Sequence, residues 1–206
     1  MTAAPLPETT RLEAFSDGVF AIAITLLVLE IHVPTIAESA AVGGLRHALA
    51  ERWPSFTGFA ISFLTIGIMW ANHHAIFQYV RRADRRFLLV NILFLMGISF
   101  VPYPTAVLAE HLPDAASRLT ATLFYAGTFV VMAVLFNAVW WTGIYEGRLL
   151  GADVDREGLE VISSRYRLGP IAYLAALALA PLSVWLTLGL HVVMALFFSR
   201  SERTRS

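Results

Sequence analysis

The sequence predicts an all-α polytopic membrane protein with six transmembrane helices per subunit. Three observations carry that expectation. Hydrophobic residues make up 57% of the 206 and charged residues only 15%, where a soluble domain carries nearer a quarter. Mean hydropathy is +0.66. Five apolar stretches approach or exceed the roughly 20 residues that a helix needs to cross a bilayer.

The first stretch runs from Leu12 to Val33, with Asp17 inside it. It follows Arg11 as a secretory signal might follow its basic region. However, Glu13 and Asp17 sit where a signal is uncharged, and apolar runs recur downstream, so we read it as a retained helix. The second, residues 53–80, has no formal charge if His73 and His74 are neutral. The third and fourth cover residues 87–109 and 119–145. The last, Leu168 to Ser199, would run about 48 Å as a single helix, against a hydrocarbon core of about 30 Å. Pro181 near its middle should break it, so it is read as two short spans, 182–199 following 168–181.

Arginine placement sets the orientation. With six spans and both termini cytoplasmic, 12 of the 15 arginines fall inside, among them Arg81, Arg82, Arg85, Arg86, Arg200, Arg203 and Arg205. Arg46, Arg52 and Arg118 fall outside. No repeat or long linker is visible, so residues 1–206 read as a single transmembrane domain. The longest inner connection, Glu146 to Arg167, is charged and expected to be partly helical.

Several function classes are excluded. The formal net charge is zero, which argues against a nucleic-acid partner. There is no cysteine, no glycine-rich phosphate loop and no nucleophile elbow. The adjacent His73 and His74 diverge by about 100° on a helix and do not converge on one metal. No enzyme, metal site or cofactor is expected. Polar groups within the apolar runs are few: Asp17, Asn72, His73, His74, Asn91, Asn137 and His191.

The first helix is the informative one. Stepping about 100° per residue from Ile22 places Leu26 near 40°, Leu29 near −20°, Phe15 near 20° and Arg11 near −20°. Thr25 lies beside them, near −60°, and Asp17 on the far side, near −140°. An aliphatic stripe usually meets lipid or another helix. A buried carboxylate, though, normally faces protein or water. With Asp17 turned into its own bundle, the stripe meets lipid or copies of itself about an axis. On the second helix Trp70, His73 and His74 stand at i, i+3 and i+4, at a depth suited to Asp17 and Ser16.

Arg11-x-x-x-Phe15-Ser16-Asp17, followed by the aliphatic helix through Glu30, resembles the signature of the transmembrane protein 175 potassium channel family. Trp70-x-x-His73-His74 resembles that family's companion motif. The resemblance implies a homotetramer of six-helix subunits in a bacterial inner membrane, with potassium as permeant ion and lipid and copies of itself as partners. It implies a pore lined by the first helix and constricted at Ile22, Leu26 and Leu29, with Thr25 a polar position nearby. Arg11, Phe15, Ser16, Asp17, Trp70, His73 and His74 would form a supporting network. Arg11 lies on the stripe, where it would repel cations, so it is expected to turn aside and pair with Trp70 or a carboxylate. Glu30 lies near the outer mouth, facing either the pore or solvent. Two rivals remain open: a proton-permeable channel or proton-coupled transporter, since Asp17 and the histidines can titrate, and a non-transporting membrane scaffold.

Overall fold

The structure, a computed structural model, describes residues 8–199. Arg200, Arg203 and Arg205, which enter the arginine bias, lie outside the described residues. The chain folds as α1 (Thr10–Leu26), α2 (Ile36–Ala41), α3 (Leu45–Glu51), α4 (Trp53–Tyr79), α5 (Arg85–Phe100), α6 (Pro102–His111), α7 (Arg118–Ile144), α8 (Arg156–Leu179) and α9 (Val184–Ser199). Among the described residues the only β pairings are two isolated bridges, Glu8 with Arg82 and Val80 with Leu150.

Local chemistry sets most boundaries. α1 tightens into a 3-10 turn over Leu27–Glu30, after which the chain runs extended into Pro34. Thr35 and Glu38 form a reciprocal capping box at the start of α2, the arrangement that satisfies two orphan N–H groups at once. Gly44 precedes α3 with φ of 117°, a conformation that side chains other than glycine's resist. Asp84 accepts from the Phe87 N–H at 2.8 Å to cap α5, and Asp155 caps α8.

Two elements differ from the sequence expectation. The apolar run 87–109 is two helices, because Pro102 has no N–H for the Ile98 carbonyl. That carbonyl is taken instead by Val101 N at 3.2 Å. The connection between α1 and α4 carries two short helices, α2 and α3, where alanine-rich sequence follows Thr35 and Gly44. In the connection from Glu146 to Arg167, the helical part starts at Arg156.

Among the described residues four segments are long and apolar enough to cross a membrane: Thr10–Glu30, Trp53–Tyr79, Arg85–His111 and Arg118–Ile144. α9, with 16 residues, measures about 24 Å. α8 has 24 residues, but its first half carries Arg156, Glu157, Glu160, Arg165 and Arg167. α8 and α9 meet in a turn at Pro181, closed by the Ser183 N–H on the Leu179 carbonyl at 2.9 Å.

α1 packs on α4 and α5, α5 on α7, α7 on α8, α8 on α9, and α9 back on α4. The centre is aromatic: Phe20, Phe94, Tyr125, Phe129 and Trp140 are fully buried. Several buried polar groups are paired across helices, which spares them the cost of burial away from water. Ser62 joins Thr105 at 2.7 Å and Tyr125 at 3.0 Å, tying α4 to α6 and α7. Trp140 donates to Ser163 at 3.0 Å. Gly143 lets α7 approach the turn between α4 and α5. A Cβ there would stand 2.7 Å from Val80 Cγ2 and 3.1 Å from Phe87. Gly143→Ala is therefore expected to cost about 1–3 kcal/mol through overpacking. Thermal unfolding in detergent would measure it, and an unchanged midpoint would refute the close approach.

Candidate functional site

The packed face of α1 is the arc Leu12, Ser16, Phe20, Ala23 and Leu27, all buried. The spacing is the one a helix needs to keep one side inward. The other side is bare within the subunit. It carries Phe15, Ile22, Leu26 and Leu29, with Ile22 61% and Leu29 72% exposed. Beside them run Ala14, Gly18, Ala21 and Thr25, all exposed. This second row is small, and small residues on a membrane helix permit close approach of another helix. Arg11 lies at one end of this face and Glu30 at the other, both exposed.

Thr25 does not point its hydroxyl hydrogen outward. Its Oγ1 donates to the Ala21 and Ile22 carbonyls, each at 2.9 Å. What the exposed face receives is the oxygen's lone pairs. Leu29 falls in the 3-10 turn, which advances about 120° per residue rather than 100°. The helical wheel therefore stops being a guide beyond Leu26.

The residues expected to support α1 divide into two groups. The first is buried. Asn91 on α5 donates Nδ2 to Ser16 Oγ at 3.1 Å, and its Oδ1 meets His73 Nε2 at 2.7 Å. Because the Asn91 carbonyl oxygen can only accept, the proton of the second bond belongs to His73 Nε2. The imidazole is clamped between Phe20, Phe94 and Phe77, with ring centroids 5.1–5.5 Å away. The second group lies at the edge of the packed arc. Trp70 Nε1 donates to Asp17 Oδ1 at 2.8 Å, and the His74 ring lies 6.2 Å from the indole. Asp17 is half-buried, so it borders the packed face while Ser16 occupies its middle.

The indole N–H goes to Asp17. Among the described residues Arg11 makes no ion pair. Phe15 likewise joins neither group and stays 58% exposed. The residue that the sequence reading did not assign to the network is Asn91. Its signal was present: an amide in a charge-free apolar window must find a partner. Which partner could not be read from spacing.

The α2 end of the bundle has its own electrostatics. Glu38 accepts from the Thr35 N–H at 2.7 Å and lies 3.5 Å from His32 and 3.7 Å from Arg52. The backbone hydrogen bond from Thr35, ahead of the neighbouring His32 and Arg52, holds its carboxyl below the usual range. Glu38 thus ties α2 to the loop and the start of α4.

Comparison with known proteins gives this arrangement its context. The family model TMEM175, described as the endosomal/lysosomal potassium channel TMEM175, matches residues 11–102, which span both motifs and Asn91. A potassium channel of Chamaesiphon minutus is 48% identical over 93% of this chain and 94% of its own length. A potassium channel of Streptomyces collinus is 45% identical over 95% and 93%. The human endosomal/lysosomal proton channel TMEM175 is 32% identical, matching 82% of this chain and 35% of its own length. The crystal structure of a lysosomal potassium-selective channel TMEM175 homolog from Chamaesiphon minutus superposes with a TM-score of 0.84, covering 93% of this chain and 96% of that one at 46% identity. With identity this high over nearly the full length of both chains, this protein belongs to the TMEM175 family.

Proposed function

We propose that this chain is the subunit of a potassium channel, a homotetramer whose pore is lined by α1. It is an integral membrane protein of the bacterial inner membrane with both ends in the cytoplasm. It crosses six times: α1, α4, the α5–α6 pair, α7, the apolar half of α8, and α9. Two potassium channels at 45–48% identity support the ion. One observation carries the choice of helix. α1 is anchored on one side by Ser16 and Asp17 to α4 and α5, and bares Ile22, Leu26 and Leu29 on the other.

Four copies of that face would stack apolar rings, Ile22 being the narrowest. No carbonyl filter of the Thr-Val-Gly-Tyr-Gly type occurs in the sequence, so nothing replaces the whole hydration shell. Selection falls to the cost of partial dehydration in a narrow neck. Potassium holds its water less tightly than sodium and crosses more readily. Thr25, with its lone pairs outward, offsets part of that cost. Narrow apolar rings also close by dewetting. Glu30, exposed at the end of the 3-10 turn, concentrates cations at the outer mouth.

The test is potassium efflux from liposomes holding the purified chain, with proton movement followed separately. Flux down a potassium gradient is expected, and its absence would refute the reading. A second reading, proton permeation, is favoured by the naming of the animal relatives as proton channels. Proton flux with no potassium flux would select it. The Asp17 bond serves assembly in this scheme. Asp17→Ala strands the Trp70 N–H and removes a charge-assisted hydrogen bond worth about 1.5–3 kcal/mol. The expected result is loss of the tetramer on size-exclusion chromatography. An intact tetramer with altered selectivity would instead place Asp17 in the ion path.

A further inference from the structure

A groove of about 320 Å³ opens between α4 and α8 at the arginine-rich end of the bundle. Its size falls in the range of ligand sites, about 300–1,000 Å³. His74 and Gln78 line it from α4, Arg165 and Tyr166 from α8, and Phe198 from α9. No aspartate or glutamate is among its described lining residues. A second, narrower cavity of about 50 Å³ shares Tyr166 and Phe198 and leads inward between apolar side chains.

Arg165 is the unusual member. One N–H of its guanidinium goes to the Phe197 carbonyl at 2.6 Å, which caps the end of α9. The group lies 5.3 Å and 5.9 Å from the Phe197 and Phe198 rings. That cap uses one of five donors. The Nε–H is buried and has no acceptor among the described residues. A buried donor without a partner is rare and costly, and a cation with donors to spare beside a carboxylate-free groove is complementary to an anion. Val161, Arg165 and Leu168 stand at i, i+4 and i+7 on one side of α8, and Val161 and Leu168 are exposed. Such a surface suits acyl chains on either side of a charged head.

We infer that the groove between α4 and α8 binds the phosphate headgroup of an anionic phospholipid, with Arg165 as its main contact. The arginine-rich end of a membrane protein faces the leaflet where such lipids are attractive partners. The site reaches the pore helix through His74. That ring lies against Trp70, and Trp70 holds Asp17 of α1. Headgroup binding at His74 and Arg165 therefore bears on how α1 is held. This coupling rests on the channel reading above, whereas the binding does not.

The test uses the full chain in detergent, titrated with phosphatidylglycerol and followed by native mass spectrometry. Arg165→Gln is expected to weaken lipid retention about tenfold, the loss of roughly one charge-assisted hydrogen bond. Arg167→Gln, outside the groove, should leave it unchanged. Should Arg165→Gln fail to fold, Gln78→Glu places a repelling acid in the groove without touching the α9 cap, and should weaken retention similarly. Equal retention in the wild type and these groove variants would overturn the site. Displacement of the lipid by inorganic phosphate at equal concentration would assign the site to a soluble anion and overturn the lipid. Coupling is read as potassium flux from phosphatidylcholine liposomes with and without phosphatidylglycerol. A several-fold change lost in Gln78→Glu supports it, and equal flux overturns it. Lipid retention with no flux in any liposome would refute the channel reading and leave the site standing.

Discussion

Ile22→Asn is expected to raise potassium flux through the reconstituted channel about tenfold and to erode its preference for potassium over sodium. The side chain is 61% exposed on the bare face of α1 and touches no polar group of its own subunit. In a tetramer its four copies would form the narrowest apolar ring. The barrier there is the loss of part of the ion's hydration. An amide that offsets about 1.4 kcal/mol of it speeds passage about tenfold, and one polar contact is worth about 0.5–1.5 kcal/mol net. Sodium gains more than potassium, because sodium loses more on shedding water. Subunit stability should change little, since Ile22 is mostly exposed within the subunit. Liposome flux under biionic gradients measures both quantities. Unaltered selectivity would move the constriction elsewhere.

The second large effect is on assembly of the subunit itself. Asn91→Leu is expected to destabilise the fold by about 2–6 kcal/mol, from two buried groups left unpaired at about 1–3 kcal/mol each. Those groups are Ser16 Oγ and His73 Nε2, both without water access. Leucine matches the volume and the apolar surroundings, so the cost isolates the hydrogen bonds rather than a cavity. Adding Ser16→Ala to Asn91→Leu should cost less than the sum of the two changes, because one orphan is removed. Coupling of about 0.5–3 kcal/mol is normal for residues in one network. Thermal unfolding of the four proteins in detergent would show it. Additive effects would mean that the bond does not hold α1 to α5.

The rows of apolar residues were legible in the sequence because lipid imposes a length that counting can detect. The break at Pro181 was local as well, set by residues within one turn. The bare face of α1 was nearly legible, since the 100° step that groups Ile22 with Leu26 needs no partner to define it. Beyond Leu26 the 100° step no longer applies, although Leu29 is still exposed. The 3-10 turn over Leu27–Glu30 has a different step, and no residue in it announces the change. The helix break at Pro102 lies inside a run apolar enough to read as one span, and Arg85–His111 is still one span by length and hydropathy.

The support for α1 was the least legible part. Trp70, His73 and His74 looked like a single cluster on one side of α4. In the fold, His73 turns inward to Asn91 while Trp70 and His74 stay at the edge with Asp17. A spread of 60° to 100° on one helix is enough to send neighbours to different helices. Only the angle at which α4, α5 and α1 cross decides which goes where.

Hydropathy, proline, arginine bias and two short motifs were enough to establish membrane residence, helical class and a two-sided first helix. These are properties of residues close in the chain, where solvent and backbone geometry act without reference to distant segments. The pairings that make α1 rigid span 53 residues from Asp17 to Trp70 and 75 from Ser16 to Asn91. A hydrogen bond needs its partners within about 3 Å and well aligned. That condition is met only after every helix between them has packed, so it belongs to the tertiary structure alone.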